Sequence, residues 1–200
     1  MNAKRFKELH MKFLGNVDDP SRSWFQKIIT ERHRDRWFLR VLPPLKGLDV
    51  LDLCGGYGMF GAYLKSVREL SFNYTCLDKD KLRIDLGPEY FKTFNLKPQR
   101  FILHNISNPL PTPPNRFDMV WLFGWCSSFF NCIKLFREVS RVLKPKGRFI
   151  FNMARAGGYK TKYSRKGLLE LLKKTNFNVL KLDKIPNGVD FGVVAIKSNN

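Results

Sequence analysis

Acidic residues are what this sequence has least of for its size. Its 200 residues carry 17 Asp and Glu against 36 Lys and Arg, a formal charge of +19. Between Glu138 and Glu170 there is no acid at all, while Arg141, Lys144, Lys146, Arg148, Arg155, Lys160, Lys162, Arg165 and Lys166 fall there. That imbalance predicts attraction to polyanions, either nucleic acid or an anionic membrane surface. Long apolar runs are also missing. The longest, such as Met119 to Trp125, fall far short of the roughly 20 residues a membrane span needs. The opening Met-Asn-Ala-Lys-Arg lacks the apolar stretch of a signal peptide, so a cytoplasmic protein is expected. Cysteine is scarce: Cys54, Cys76, Cys126 and Cys132 form no Cys-x-x-Cys pair and have no nearby His-x-x-x-His. Neither a metal site nor a disulfide framework is expected.

What remains is an ordinary apolar fraction with clear periodicity and no internal repeat, enough for one domain with a core. Residues 5–14 and 23–42 read as helices, and Pro43-Pro44 ends the second because proline disfavours helical geometry in the residue before it. Beyond that point short apolar strands alternate with helices, the signature of a parallel sheet covered on both faces. Strands are predicted at Asp49–Leu53, Tyr74–Leu77, Phe101–His104, Met119–Phe123 and Phe149–Asn152. Helices are predicted at Met59–Val67, near Pro88–Phe94, at Ile133–Leu143 and at Lys166–Thr175, the last capped by Ser164. Val179–Ile185 and Phe191–Lys197 flank a Pro-Asn-Gly turn and read as an antiparallel hairpin at the sheet edge. The fold class is therefore α/β, a Rossmann-like three-layer sandwich with a mostly parallel seven-stranded sheet. Residues 1–45 form a helical extension and residues 46–200 the sheet domain.

The first predicted strand runs into Asp52-Leu-Cys-Gly-Gly-Tyr-Gly58 and then a helix. Open parallel sheets bind ligands at such a turn, where small residues let the backbone approach closely. Gly56, Gly58 and Gly61 also satisfy Gly-x-Gly-x-x-Gly, with Asp78 following at the distance expected of a dinucleotide site. The glycines alone do not separate the two readings. Asp52 does, since a carboxylate at this strand end repels a pyrophosphate and suits a cationic ligand such as S-adenosylmethionine. Asp78, ending the second strand, can accept both hydroxyl hydrogens of a ribose, with Asp80 as its nearby competitor.

These residues resemble the class I S-adenosylmethionine-dependent methyltransferases of the methyltransferase 11 type. Val50 to Gly58 resembles the cofactor loop and Leu77-Asp78 the ribose-binding strand end. Asn105 to Pro111 with Arg116 to Val120 is similar to the adenine loop and fourth strand. Phe136 to Gly147, with its Arg-Val-Leu-Lys-Pro-Lys-Gly ending, is similar to the family's turn before strand five, and there only Lys146 departs from the usual glycine. The resemblance covers residues 46–152, and Leu168 to Phe177 is similar to the family's final helix. It implies S-adenosylmethionine as cofactor, held by Asp52, Cys54, Gly55, Gly56, Gly58, Asp78, Lys79, Asn105, Ile106 and the backbone at Phe123 and Gly124. Cys54 replaces the usual glycine or alanine. Asn105 stands where the family usually has Asp, and its carbonyl can still accept from the adenine amino group.

Methyl transfer from a sulfonium is an in-line displacement that positioning can accelerate without an obligatory acid or base. A catalytic side chain is therefore not assigned. His33 is the histidine to consider as a base if the acceptor is a hydroxyl. Trp125 could stack on a flat acceptor and Cys126 lies beside it, although the Pro-Cys signature of pyrimidine carbon methylation is absent. Arg155, Tyr159, Lys160 and Lys162 suit a phosphate-rich strand with stackable bases. RNA, particularly tRNA, is the leading expectation for the acceptor. A small-molecule or lipid-linked metabolite beneath a lid formed by residues 1–45 is the alternative, and a catalytically silent binding protein of the same fold the third.

Overall fold

A computed structural model describes residues 1–20, 33–125, 131–154, 163–185 and 189–198. Helix α1, Ala3–Gly15, starts where the Asn2 side chain accepts from the Arg5 N–H, and it buries Phe6, His10 and Leu14 at four-residue spacing. The Phe6 ring stacks on Phe94 at 4.3 Å, and His10 Nδ1 lies 2.8 Å from the Tyr90 hydroxyl. Helix α2, His33–Val41, stops just before Pro43-Pro44. The part of the predicted second helix that precedes His33 lies outside the described residues.

Strand β1 (Asp49–Leu53), helix α3 (Met59–Ser66), strand β2 (Asn73–Asp78), helix α4 (Lys81–Thr93) and strand β3 (Arg100–Leu103) follow. Strand β4 (Phe117–Trp125), helix α5 (Cys132–Val142), strand β5 (Leu143–Ala154), helix α6 (Arg165–Lys174) and strands β6 (Phe177–Ile185) and β7 (Val189–Lys197) complete the chain. The seven strands lie in the order β3-β2-β1-β4-β5-β7-β6. Strands β1 to β5 pair in parallel, and β7 runs antiparallel to both β5 and β6. This is the expected mostly parallel sheet with a C-terminal hairpin.

Helix α4 and strand β5 begin well before their sequence signals, and strand β4 extends two residues beyond its own at each end. Helix α4 begins at Lys81 rather than near Pro88, because Asp80 caps it and its first turn tolerates polar residues. Pro88 sits inside the helix, and Gly87 lies so close to Phe101 that an added Cβ would come within 2.2 Å of the ring. Strand β5 begins at Leu143 directly after α5, so the Lys-Pro-Lys-Gly turn is part of the strand.

Lys146 takes a left-handed backbone conformation, φ 60°, at the position where the family pattern this segment resembles has glycine. An L-residue there costs about 1–2 kcal/mol, part of which glycine returns as chain entropy. Lys146→Gly is expected to stabilise the fold by roughly 0.5–1 kcal/mol, read as a higher urea midpoint with an unchanged slope. A lower midpoint would refute the backbone argument.

Aromatic packing fills one face of the sheet, where Trp121 touches Phe38, Phe60, Phe72 and Tyr74. The other face buries Leu135, Phe136, Val139 and Val142 of α5 against Phe149 and Phe151. At the amino ends of the strands, Lys144 reaches Asp118 at 2.8 Å and Asp49 at 3.3 Å, and Arg116 pairs with Asp49 at 2.8 Å. Lys144 thus ties β5 to β1 and β4, at the end of the sheet opposite the glycine loop.

Candidate functional site

Strand β1 delivers the chain into Cys54–Gly58 at the centre of the sheet. Cys54, Gly56 and Gly58 all take positive φ, at 59°, 58° and 80°. Cys54 is the non-glycine residue among them and carries the strain. Its thiol is pushed up to about 12, first by burial and then by the charges of Asp78 and Asp52, so it is no nucleophile at neutral pH. At Gly55 an added Cβ would lie 2.7 Å from Cys76 Sγ and 2.9 Å from the Asp52 carboxyl. Any side chain there would push the loop off its floor.

Asp52 lies beneath this loop, 3% exposed, with the Tyr74 hydroxyl donating to its Oδ2 at 2.6 Å. Burial raises its carboxyl to about 7; the Tyr74 hydrogen bond works against that shift and the Asp78 charge adds to it. Its influence on a ligand above the loop is therefore chiefly that of a field through a low-dielectric layer. Asp78 is also buried, at 6% exposure. Its Oδ2 accepts the Gly56 N–H at 2.9 Å and its Oδ1 accepts the Asp80 N–H at 3.0 Å. Each oxygen retains a second lone pair for an incoming hydroxyl. Asp80 is occupied as the cap of α4, accepting from the Arg83 N–H. Lys79 between them is exposed.

Asn105 is exposed and turned back on its own chain, its Oδ1 accepting the Ser107 N–H at 3.0 Å. To accept from an adenine amino group it would use its second lone pair or leave that turn. Ile106 is buried, 5% exposed, against the α5 face of the sheet. The Phe123 ring lies 4.0 Å from Phe38 and 4.9 Å from Phe60, so its side chain is core and its backbone is what reaches the site end. Trp125 ends β4 at that same end. Arg155, Tyr159, Lys160, Lys162 and Cys126 lie outside the described residues, as does the His33 side chain.

Two features of the site escape sequence inspection. Glu138 and Arg141 form a staple: Glu138 accepts the Leu110 N–H at 2.8 Å, while Arg141 donates to Leu110 O and Thr112 O at 2.9 Å. The Glu-x-x-Arg of the strand-five motif thus holds the chain that follows Asn105 and Ile106. Arg141 keeps the Glu138 carboxyl below its usual range by hydrogen bonding. The second feature is Asp19, buried at 3% exposure, whose Oδ2 accepts from the Tyr57 hydroxyl at 2.5 Å. The signal that could have found it is an acid just ahead of a proline in a basic extension.

The fit to a methyl donor rests on these contacts. A glycine floor with no room for Cβ lets a ligand approach the backbone. A buried acid lies below for a cation, and a second acid with open lone pairs stands at the end of β2 for a sugar. No helix among the described residues is long and apolar enough to cross a membrane.

Residues 44–191 match the family model described as methyltransferase domain. A glycine/sarcosine/dimethylglycine N-methyltransferase of Actinopolyspora halophila is 30% identical over 51% of this chain and 18% of its own length. A demethylmenaquinone methyltransferase of Listeria welshimeri is 26% identical over 64% of this chain and 56% of its own. The chain thus spans little more than half, or less, of these curated relatives. A crystal structure of an S-adenosylmethionine-dependent methyltransferase from Aquifex aeolicus superposes with a TM-score of 0.68 at 20% identity, covering 93% of this chain and 97% of that one. With the family model spanning most of its length and the sheet order and loop geometry in agreement, the chain belongs to the class I S-adenosylmethionine-dependent methyltransferases.

Proposed function

We propose that this protein transfers the methyl group of S-adenosylmethionine to RNA, with tRNA the first acceptor to test. Asp52, Cys54, Gly55, Gly56, Gly58 and the Phe123 backbone would hold the methionine end, Asp78 the ribose, and Lys79, Asn105 and Ile106 the adenine. The bound donor supplies an electrophilic methyl on a sulfonium. The chain's part is to hold donor and acceptor in line, and a ring-nitrogen acceptor needs no protein base.

The observation that carries the acceptor class is the charge of +19 together with two exposed cations, Lys134 and Arg137, at the site end. A groove of about 560 Å³ beside Ile106 is lined by Ser107, Asn108, the exposed Lys134 and Arg137, and Glu138, whose carboxylate is paired with Arg141. Strand β5 runs parallel to β1 and β4, so it ends, at Ala154, at the same end of the sheet as the glycine loop. Cations around a shallow opening suit a phosphate backbone. The demethylmenaquinone and glycine/sarcosine relatives favour a second reading, a small-molecule acceptor enclosed under residues 1–45, with Trp125 against it.

Incubating the protein with radiolabelled methyl donor and fractionated cell extract separates the two. Label is expected in the RNA fraction, and label confined to small metabolites would select the second reading. Lys134→Glu with Arg137→Glu is expected to weaken RNA binding by at least tenfold and to reduce the salt dependence by about two phosphate contacts. Unchanged affinity and salt slope would remove the groove from the RNA path.

A further inference from the structure

We infer that Asp19 is a positioning residue that clamps the cofactor loop to the ribose-side turn, making cofactor affinity depend on how residues 1–20 are docked. The inference rests on reading the glycine loop and Asp78 as the cofactor cradle. Asp19 follows α1 and lies far in sequence from either arm of that cradle. Its Oδ2 accepts from the Tyr57 hydroxyl at 2.5 Å and from Arg83 Nε at 3.3 Å.

Each contact leads to Asp78. Tyr57 is fully buried and stands between Gly56, whose N–H is held by Asp78 Oδ2, and Gly58, which opens α3. Arg83 lies in the first turn of α4 and also reaches Asp80 at 3.3 Å, and the Asp80 N–H is held by Asp78 Oδ1. Asp19 and Asp78 are therefore joined by two short arms, one through the glycine loop and one through the β2–α4 turn. A buried carboxylate is stabilised by pairing and hydrogen bonding, and Tyr57 and Arg83 both supply these to Asp19, so its place is coupled to the register of both arms. Phe13 of α1 packs edge-on against the Tyr57 ring at 5.5 Å. That contact keeps the ring in place when the carboxylate alone is neutralised, so the polar clamp can be tested apart from the packing.

Binding linkage is reciprocal. If the clamp orders Gly56 and Asp78 for the cofactor, then cofactor binding must tighten the docking of residues 1–20. Two isosteric variants, Asp19→Asn and Tyr57→Phe, test this, with Leu172→Ala on the opposite face of the sheet as a control that lowers stability alone. Amide hydrogen exchange of Gly55, Gly56 and Gly58 is measured in the free protein, and S-adenosylhomocysteine binding by calorimetry. Both variants are expected to speed loop exchange and to weaken binding about tenfold, with the double variant no worse than either single one. Leu172→Ala should do neither. In the wild type, S-adenosylhomocysteine should slow exchange in residues 3–19. Wild-type loop exchange and affinity in Asp19→Asn and Tyr57→Phe, with only a lowered melting temperature, would reduce Asp19 to a structural anchor and overturn the inference. A wild-type protein that binds no S-adenosylhomocysteine would overturn the cradle itself, a failure distinguishable because loop exchange is read without ligand.

Discussion

Replacing Asp52 by Asn is expected to make this protein more stable at neutral and alkaline pH and, at the same time, poorer at binding its methyl donor. In the folded chain burial pushes the Asp52 carboxyl up to about 7 from its ordinary value of 3.8. Its folded pKa is therefore raised, and between those two values folding takes up a proton. Stability falls as pH rises through that window, and above pH 7 the fold carries the whole cost of a buried charge. At roughly 1.4 kcal/mol per pH unit the cost reaches about 4 kcal/mol. Asn keeps the acceptor for the Tyr74 hydroxyl but brings an amide N–H₂ whose burial costs about 1–3 kcal/mol. The net gain is about 2 kcal/mol at pH 8, or roughly 4–8 °C in a chain of this size; it falls to nothing near about pH 5 and becomes a loss of about 2 kcal/mol toward pH 4, where the carboxyl is neutral and only the amide cost is left.

The cofactor feels the opposite effect. A sulfonium and an ammonium above the loop favour the ionised carboxylate, so wild-type donor affinity should rise by up to tenfold per pH unit below 7 and level off above it. The neighbours that share this field are the Asp78 carboxylate, the Cys54 and Cys76 thiols and the Tyr74 hydroxyl; burial pushes both thiols and the hydroxyl up, which keeps them neutral. Asp52→Asn should flatten the pH profile and weaken binding at least tenfold at pH 8. Calorimetry and thermal melts at pH 5 and 8 check both halves. A variant that melts lower at pH 8, or that binds donor as tightly as wild type, would show that Asp52 is only a structural acid. A wild-type protein that binds no donor at either pH would instead support a silent member of the fold.

How much of this was legible in the sequence depends on how local the cause is. Strand β1 has the expected boundaries because its apolar run ends at the loop, and α6 starts where Ser164 supplies the cap, its side chain accepting the Gly167 N–H at 3.1 Å. The departures at Cys54 and Lys146 were visible as misfits to a glycine pattern, and both are left-handed residues. That Asp52 ends β1 was equally visible. That it is sealed under the loop was not, since its cover comes from Tyr74, brought alongside by the register that pairs Val50 with Tyr74. Asn105 reads as a free acceptor in sequence, and only the turn geometry shows its oxygen on the Ser107 N–H. Asp19 and its partners are separated by 38 and 64 residues, beyond any periodic pattern.

Gly61 supplies the second large effect, and it separates the two explanations of the glycine pattern. In a dinucleotide site the third glycine of Gly-x-Gly-x-x-Gly permits close packing of helix on strand. In this protein it performs that packing without requiring a pyrophosphate: a Cβ added at Gly61 would stand 2.7 Å from two ring atoms of Tyr74. That ring has little room to retreat, being stacked on Phe91 at 5.7 Å and neighboured by Phe72 and Trp121. Its hydroxyl also holds Asp52. Gly61→Ala is therefore expected to cost about 2–4 kcal/mol, at the upper end of overpacking, even though alanine is the better helix former by about 1 kcal/mol. The strain should also reach the cofactor, since moving Tyr74 strips Asp52 of its donor. Donor affinity should fall together with a melting temperature roughly 5–15 °C lower. Tyr74→Phe provides the comparison: it removes the hydroxyl but keeps the ring, so it should disturb Asp52 without the steric penalty. Restored stability in a Gly61→Ala, Tyr74→Leu double variant would place the strain at this contact. A neutral Gly61→Ala would mean that α3 can slide on the sheet and that the third glycine has no packing role in this fold.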